Sequence, residues 1–220
     1  MSAVLCLAGT LRSADEYDLR EVSERNENNV LEALRPVIQS SGKTIRIYYR
    51  GSPCRTHGDN EAPYAGVPFP LLQLQNPPKN KSALATVREI FANNKNVTIT
   101  EGSSGIIRIT IGDVPTEILQ TRISHLSLDD DARYNKFWAI QILFSAKEVK
   151  AAERSLGVEP IGTLGGLLGS PTEKAPHLPA SFTNVTVDDV LDIVAKTFDG
   201  FVVYGACGEP THGKKNFWVE

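Results

Sequence analysis

An α+β fold of repeated small β-α-β-β units, each a helix packed on a short, mostly antiparallel sheet, is what this chain predicts. One reason is a recurring amphipathic stripe. Val30, Leu31, Leu34, Val37 and Ile38 reappear 53 positions on as Ala83, Leu84, Val87, Ile90 and Phe91. Ala83, Leu84, Val87 and Phe91 reappear after a further 107 positions as Val190, Leu191, Val194 and Phe198. Another reason is the β-rich run that follows each stripe, since apolar spacing of three and four marks a helix and alternation marks a strand. A third is punctuation: proline and glycine crowd residues 51–80 and 161–179 and forbid long helix or interior strand there. The chain thus divides into 1–14, a βαβ unit at 15–50, a Pro/Gly-rich loop at 51–80, an αβ unit with an extension at 81–160, a linker at 161–179 and a last unit at 180–220.

The elements follow in order. Tyr17–Val22 alternates enough for a strand, and Asn26 can cap the helix after it. That helix should end at Gly42, with Pro36 inside it predicting a bend or an early end. Thr44–Tyr49 (TIRIYY) reads as a strand, and Leu71–Leu74 as a short one in the loop. A helix over Ser82–Asn93 precedes Val97–Thr100 and Ile106–Ile111, which the turn Gly102–Gly105 joins into a hairpin. Residues 115–128 admit a helix or a strand. Phe137–Phe144 (FWAIQILF) is apolar throughout and fits either a buried strand or a core helix. Ser145 can cap a helix over Ala146–Leu156 closed by Gly157. In the last unit Ser181–Val185 is a strand, and Thr186 with Asp189 forms an approximate capping box. A helix then runs to about Phe198 and Gly200, before a hairpin of Phe201–Tyr204 and Asn216–Val219.

Composition narrows the function classes. An apolar content of 41% with 22% charged residues is that of a globular chain and excludes wholesale disorder. A net charge of -3 argues against a nucleic-acid binder, which shows a basic excess. No apolar run approaches the roughly 20 residues that span a bilayer, so no integral membrane segment is expected. Ala3–Leu11 (AVLCLAGTL) resembles the apolar core of a secretory signal, though no basic residue precedes Arg12. Residues 1–14 are therefore expected to be a signal-peptide remnant, with a buried first strand as the alternative. Leu5, ahead of Cys6, argues against lipidation. Without Cys6, Cys54 and Cys207 remain, an even pair as exported proteins tend to have. Each follows the strand of its own unit, so a disulfide between them is expected, with two free thiols as the alternative.

The last unit carries a resemblance. Phe182–Gly205 (FTNVTVDDVLDIVAKTFDGFVVYG) is similar to the short N-terminal domain of secretins and TonB-dependent receptors. Asn184, Val185, Thr186, Val187, Leu191, Gly200 and Tyr204 carry the match. The resemblance implies a periplasmic βαβ module that binds protein partners or passes signals. No long β-rich segment follows that could form a secretin pore or receptor barrel, so the module type alone carries over.

Chemistry-bearing motifs are sparse. Gly162–Ser170 is glycine-rich but lacks the Gly-Lys-Ser/Thr that opens a phosphate-loop helix, which leaves a linker. Asp129, Asp130 and Asp131 are adjacent and not alternating, which suits a solvated turn better than a calcium loop. His57, His125, His177 and His212 make no helical i,i+4 pair. Cys54 with His57 is the nearest approach to a metal half-site or thiol–base pair. Ser103 and Ser104 lie in a turn between strands, not in a strand–helix nucleophile elbow. Tyr48, Tyr49, Tyr204 and Trp218 could form a stacking platform, but without a basic surround they read as packing.

These readings predict a non-enzymatic periplasmic or secreted protein-interaction module. A protein partner would bind by strand addition to a sheet edge; no catalytic residue, cofactor, metal or nucleic acid is expected. The alternatives are a hydrolase built from Cys54, His57 or Asp129–Asp131, and a cytoplasmic regulatory domain.

Overall fold

The computed structural model describes residues 29–50, 81–102, 104–160, 175–198, 200–208 and 215–219. A helix over 29–41, α1, leads into β1 (Ile45–Arg50). Then come α2 (Ala83–Ile90), β2 (Val97–Glu101), β3 (Ile107–Ile111), a 3-10 turn (Glu117–Gln120) and β4 (Arg122–Ser127). Next are α3 (Asp130–Arg133), α4 (Lys136–Ser145), α5 (Lys147–Leu156) and β5 (Val158–Pro160). β6 (Ser181–Thr186), α6 (Val187–Thr197), β7 (Phe201–Gly208) and β8 (Lys215–Val219) complete the order. The fold is α+β with mixed sheets.

Alternation along β1 divides the interior into two cores, because successive side chains of a strand face opposite sides of its sheet. Ile45, Ile47 and Tyr49 join Ile107, Ile109, Ile111 and Val203 under Val30, Leu34 and Val37 of α1 and Val87 of α2. Tyr48 joins Val202, Tyr204, Ala206, Phe217 and Val219 on the other side, under Val190, Leu191 and Val194 of α6 and Ile140 and Leu143 of α4.

The strands form one six-stranded sheet in the order β2-β3-β1-β7-β8-β5, with β4 and β6 as a separate antiparallel ribbon. The expected repetition of like units is not confirmed. All three stripes face the sheet, but Leu31 and Leu84 flank one core while Leu191 is buried in the other. The pairing is also not mostly antiparallel: β1 runs parallel to both β3 and β7, in registers Ile45↔Ile107 and Ile45↔Phe201. Parallel neighbours require crossover connections, and helices provide them here. β6 pairs with β4, not with β7.

Local expectations meet local causes. α1 continues through Pro36 to residue 41, without the early end. Pro36 is on the exposed face, so the carbonyl it leaves unbonded is open to water. Residues 115–128 hold both a 3-10 turn and a strand. Phe137–Phe144 lies within a helix, whose first amides, of Phe137 and Trp138, donate to the Asn135 side chain at 3.0 and 3.2 Å. Ser145 does not cap α5; its hydroxyl donates to the Gln141 carbonyl at 2.7 Å and so belongs to the end of α4. Gly157 closes α5 at φ 64°, a left-handed conformation open to glycine. Thr186 and Asp189 complete the full reciprocal capping box. The turn Gly102–Gly105 closes the β2–β3 hairpin, with Gly105 N donating to the Gly102 carbonyl at 2.9 Å. The strands expected at Tyr17–Val22 and Leu71–Leu74 lie outside the described residues.

Candidate functional site

Two adjacent parallel strands carry the same Ile-Arg-Ile triplet, in a register that sets Arg46 beside Arg108. Like charges side by side repel, and Arg46 is fully buried. The countercharge comes from α6, where Asp188 and Asp192 are one helical turn apart and so share a face. Arg46 donates to Asp192 Oδ1 at 2.6 Å and to Asp188 Oδ1 at 3.0 Å. Arg108 Nη2 donates to Asp192 Oδ2 at 2.5 Å, and its Nε to the Tyr48 hydroxyl at 3.2 Å. The Tyr48 hydroxyl in turn donates to Asp188 Oδ1 at 3.0 Å.

This set of five side chains is balanced in formal charge, and its groups engage one another. Burial pushes the Tyr48 hydroxyl up to about 12, against the pull of Arg46. Burial also raises the Asp192 carboxyl, against Arg46 and Arg108, which lower it. Burial opposes the charged Arg108, but Tyr48, Asp192 and Asp188 outweigh that and raise its pKa. Each of the two carboxylates is held by a guanidinium, beside a tyrosine whose burial favours its protonated form. The cluster fastens α6 to the sheet.

The residues singled out in the sequence are dispersed. Asp129 caps α3 by accepting from Ala132 N at 2.8 Å, and Asp130 pairs with Arg133 at 3.1 Å, so the aspartate run is a helix start. His125 is exposed and bonded to Ser127 at 2.9 Å, and His177 packs on Tyr134 with ring centroids 5.3 Å apart. Among the described residues no group of three His, Cys, Asp or Glu could hold a metal ion. No helix there is long and apolar enough to cross a membrane. Cys6, Cys54, His57, His212, Ser103 and the whole of the glycine stretch Gly162–Ser170 lie outside the described residues. The four aromatic residues do not share a face: Tyr48 and Tyr204 pack in the core under α6, and Tyr49 meets Trp218 edge-on across the sheet from it.

Cys207 is buried and disulfide-bonded. Its expected partner, Cys54, is not among the described residues. Arg50, four residues before Cys54 in the sequence, is opposite Ala206, the neighbour of Cys207.

The remaining feature is an edge. β2 is outermost in the sheet and, among the described residues, has no strand on its far side. Gly112 N donates to the Asn96 carbonyl at 2.9 Å and Gly102 N to the Ile106 carbonyl at 3.1 Å, which fixes the phase of the β2–β3 ladder. Antiparallel alternation then directs the backbone groups of Thr98 and Thr100 onto β3 and those of Val97, Ile99 and Glu101 outward. Val97 N turns back to the Asn94 carbonyl at 3.2 Å. The Ile99 amide and the Val97 and Ile99 carbonyls remain directed away from the sheet.

No family model, no curated protein and no solved structure matches this chain. Sequence reasoning misses Arg46, Arg108 and Asp192, and places Asp188 only as an acid suited to a helix N-terminus. The available signal is an arginine set between two isoleucines near the start of each strand, a position that demands a partner when buried.

Proposed function

We propose that the protein is an exported, non-enzymatic interaction module that takes an extended segment of a protein partner as an added strand along β2. The outward backbone groups of Val97 and Ile99 carry this reading, since an unpaired edge is a template for another chain. The run Val97–Thr100 is β-branched throughout and contains no proline or charge, the devices that blunt edges in other sheets. Export is supported by the disulfide at Cys207, because such bonds persist in oxidising compartments, here the periplasm or the exterior. The similarity of Phe182–Gly205 to a periplasmic partner-binding module agrees with it.

Panning a displayed random-peptide library against the folded chain, followed by amide hydrogen exchange, tests the reading. Bound peptides should slow exchange at Ile99 while leaving Thr98 and Thr100, already bonded to β3, unchanged. Peptides that bind and protect only other surfaces would refute it, as would a library that yields no binder.

A further inference from the structure

We infer that the disulfide at Cys207 is a reversible redox site, and that its reduced form is held by a hydrogen bond from the Cys207 thiol to the Asn216 side chain. This goes beyond strand acceptance at β2 and does not depend on it. Two observations meet in one row of the sheet. Cys207 is disulfide-bonded and only 4% exposed. Asn216 is directly opposite it in the antiparallel β7–β8 pair and is 9% exposed. The Asn216 Oδ1 atom is buried and has no hydrogen-bond partner among the described residues.

Directly opposed residues of an antiparallel pair share a face, with their β-carbons about 5 Å apart. The Cys207 sulfur and the Asn216 amide are therefore side by side. The sulfur of a disulfide carries no proton and cannot donate. On the other flank of β8, Asn216 is opposite Glu159 of β5, and an ionised carboxylate only accepts. The oxidised protein thus bears the desolvation cost of an unbonded amide oxygen.

Reduction removes that cost. The reductant is a dithiol. Because Cys207 is buried, one thiolate of the dithiol attacks the sulfur bonded to Cys207, and the electron pair of the S–S bond leaves on Cys207 Sγ. That sulfur takes up a proton. The second thiol of the reductant then resolves the mixed disulfide, so the reductant leaves oxidised and this chain keeps two thiols. The new Cys207 S–H is a donor, if a weak one, placed beside the one acceptor in its row that lacks a partner. Stabilising the reduced form raises the reduction potential, the mark of a disulfide that opens and closes.

The test is equilibration of the full chain in dithiothreitol redox mixtures, with free thiols counted by alkylation and mass spectrometry. Asn216→Leu removes the unbonded oxygen at nearly constant volume. Its disulfide should resist reduction about tenfold more than that of wild type, a midpoint lower by about 30 mV. The sign is diagnostic, because a change that merely loosened the β7–β8 pair would make reduction easier. Equal midpoints, or a higher one for N216L, overturn the inference. If N216L does not fold, the infrared S–H stretch decides. The spectrum of reduced wild type minus that of Cys207→Ser should hold a band moved to lower frequency by hydrogen bonding, and a band at the frequency of an unbonded thiol overturns the inference. So does a reduced wild type that has lost its near-ultraviolet circular dichroism, since the fold that sets Cys207 beside Asn216 would then be gone.

Discussion

Asp192 lies between Arg46 and Arg108, taking one guanidinium on each carboxylate oxygen at 2.6 and 2.5 Å. Two cations can therefore occupy adjacent positions on parallel strands. Asp192→Asn keeps the shape but leaves a fully buried Arg46 with a single carboxylate, Asp188. Breaking a buried ion pair on one side costs about 3 kcal/mol. Urea unfolding of D192N should show a loss of that order. Arg108→Gln should cost less, since the Arg108 side chain is 26% exposed and water can compensate. Equal losses for the two variants would contradict the arrangement.

Gly205 is opposite Trp218 in the β7–β8 pair, and a β-carbon at Gly205 would lie 2.1 Å from the indole ring. No other residue type fits without displacing that ring, which in turn packs edge-on against Tyr49 with centroids 6.2 Å apart. Overpacking of this kind costs about 1–3 kcal/mol. Gly205→Ala should lower the thermal midpoint accordingly. Combining it with Trp218→Leu should cost less than the sum of the single changes, because the second change removes the obstacle. Strict additivity would show that the ring moves aside freely.

Much of the local structure was legible because local physics decides it. The stripes of Leu34, Val87 and Val194, the alternation in Ile45–Tyr49 and the Thr186–Asp189 box each involve residues a few positions apart. α4 was ambiguous since its residues are apolar on nearly every side, which erases the period. Strand order was not legible. β1 meets β7 across more than 150 residues of chain, and nothing in Ile45–Arg50 names Phe201–Gly208 as its neighbour. The charged cluster was hidden for the same reason: Arg46 and Asp192 become partners only when a crossover lays α6 over β1.

Cys207 follows Ala206, which is register-paired with Arg50, the last residue of β1. Cys54 comes four residues after Arg50, and four extended residues reach up to about 14 Å. Peptide mapping without reductant should recover Cys54 joined to Cys207. Cys54→Ser should lower stability by about 3 kcal/mol in oxidising buffer, and reductant should erase the difference from wild type. A map joining Cys207 to Cys6 would overturn the assignment and remove the tether between the end of β1 and β7.

Tyr48 gives the fold an alkaline limit. Its hydroxyl is pushed from 10.0 up to about 12, chiefly by burial, whereas in the unfolded chain it titrates near 10. Between those values the unfolded state binds fewer protons than the folded one, so stability falls as pH rises. The slope approaches about 1.4 kcal/mol per pH unit for one such group. Below pH 10 the contribution is fully present; above 12 it is gone. Burial raises the Tyr204 hydroxyl too, so some alkaline loss will persist in any Tyr48 variant. Tyr48→Phe should be less stable at neutral pH, having lost its bonds to Asp188 and Arg108, yet its unfolding free energy should decline less steeply from pH 10 to 12. Urea titrations of both proteins across that range decide the matter. Parallel slopes would mean that the Tyr48 proton is released as easily in the folded protein as in the unfolded chain, which its place between the sheet and α6 forbids.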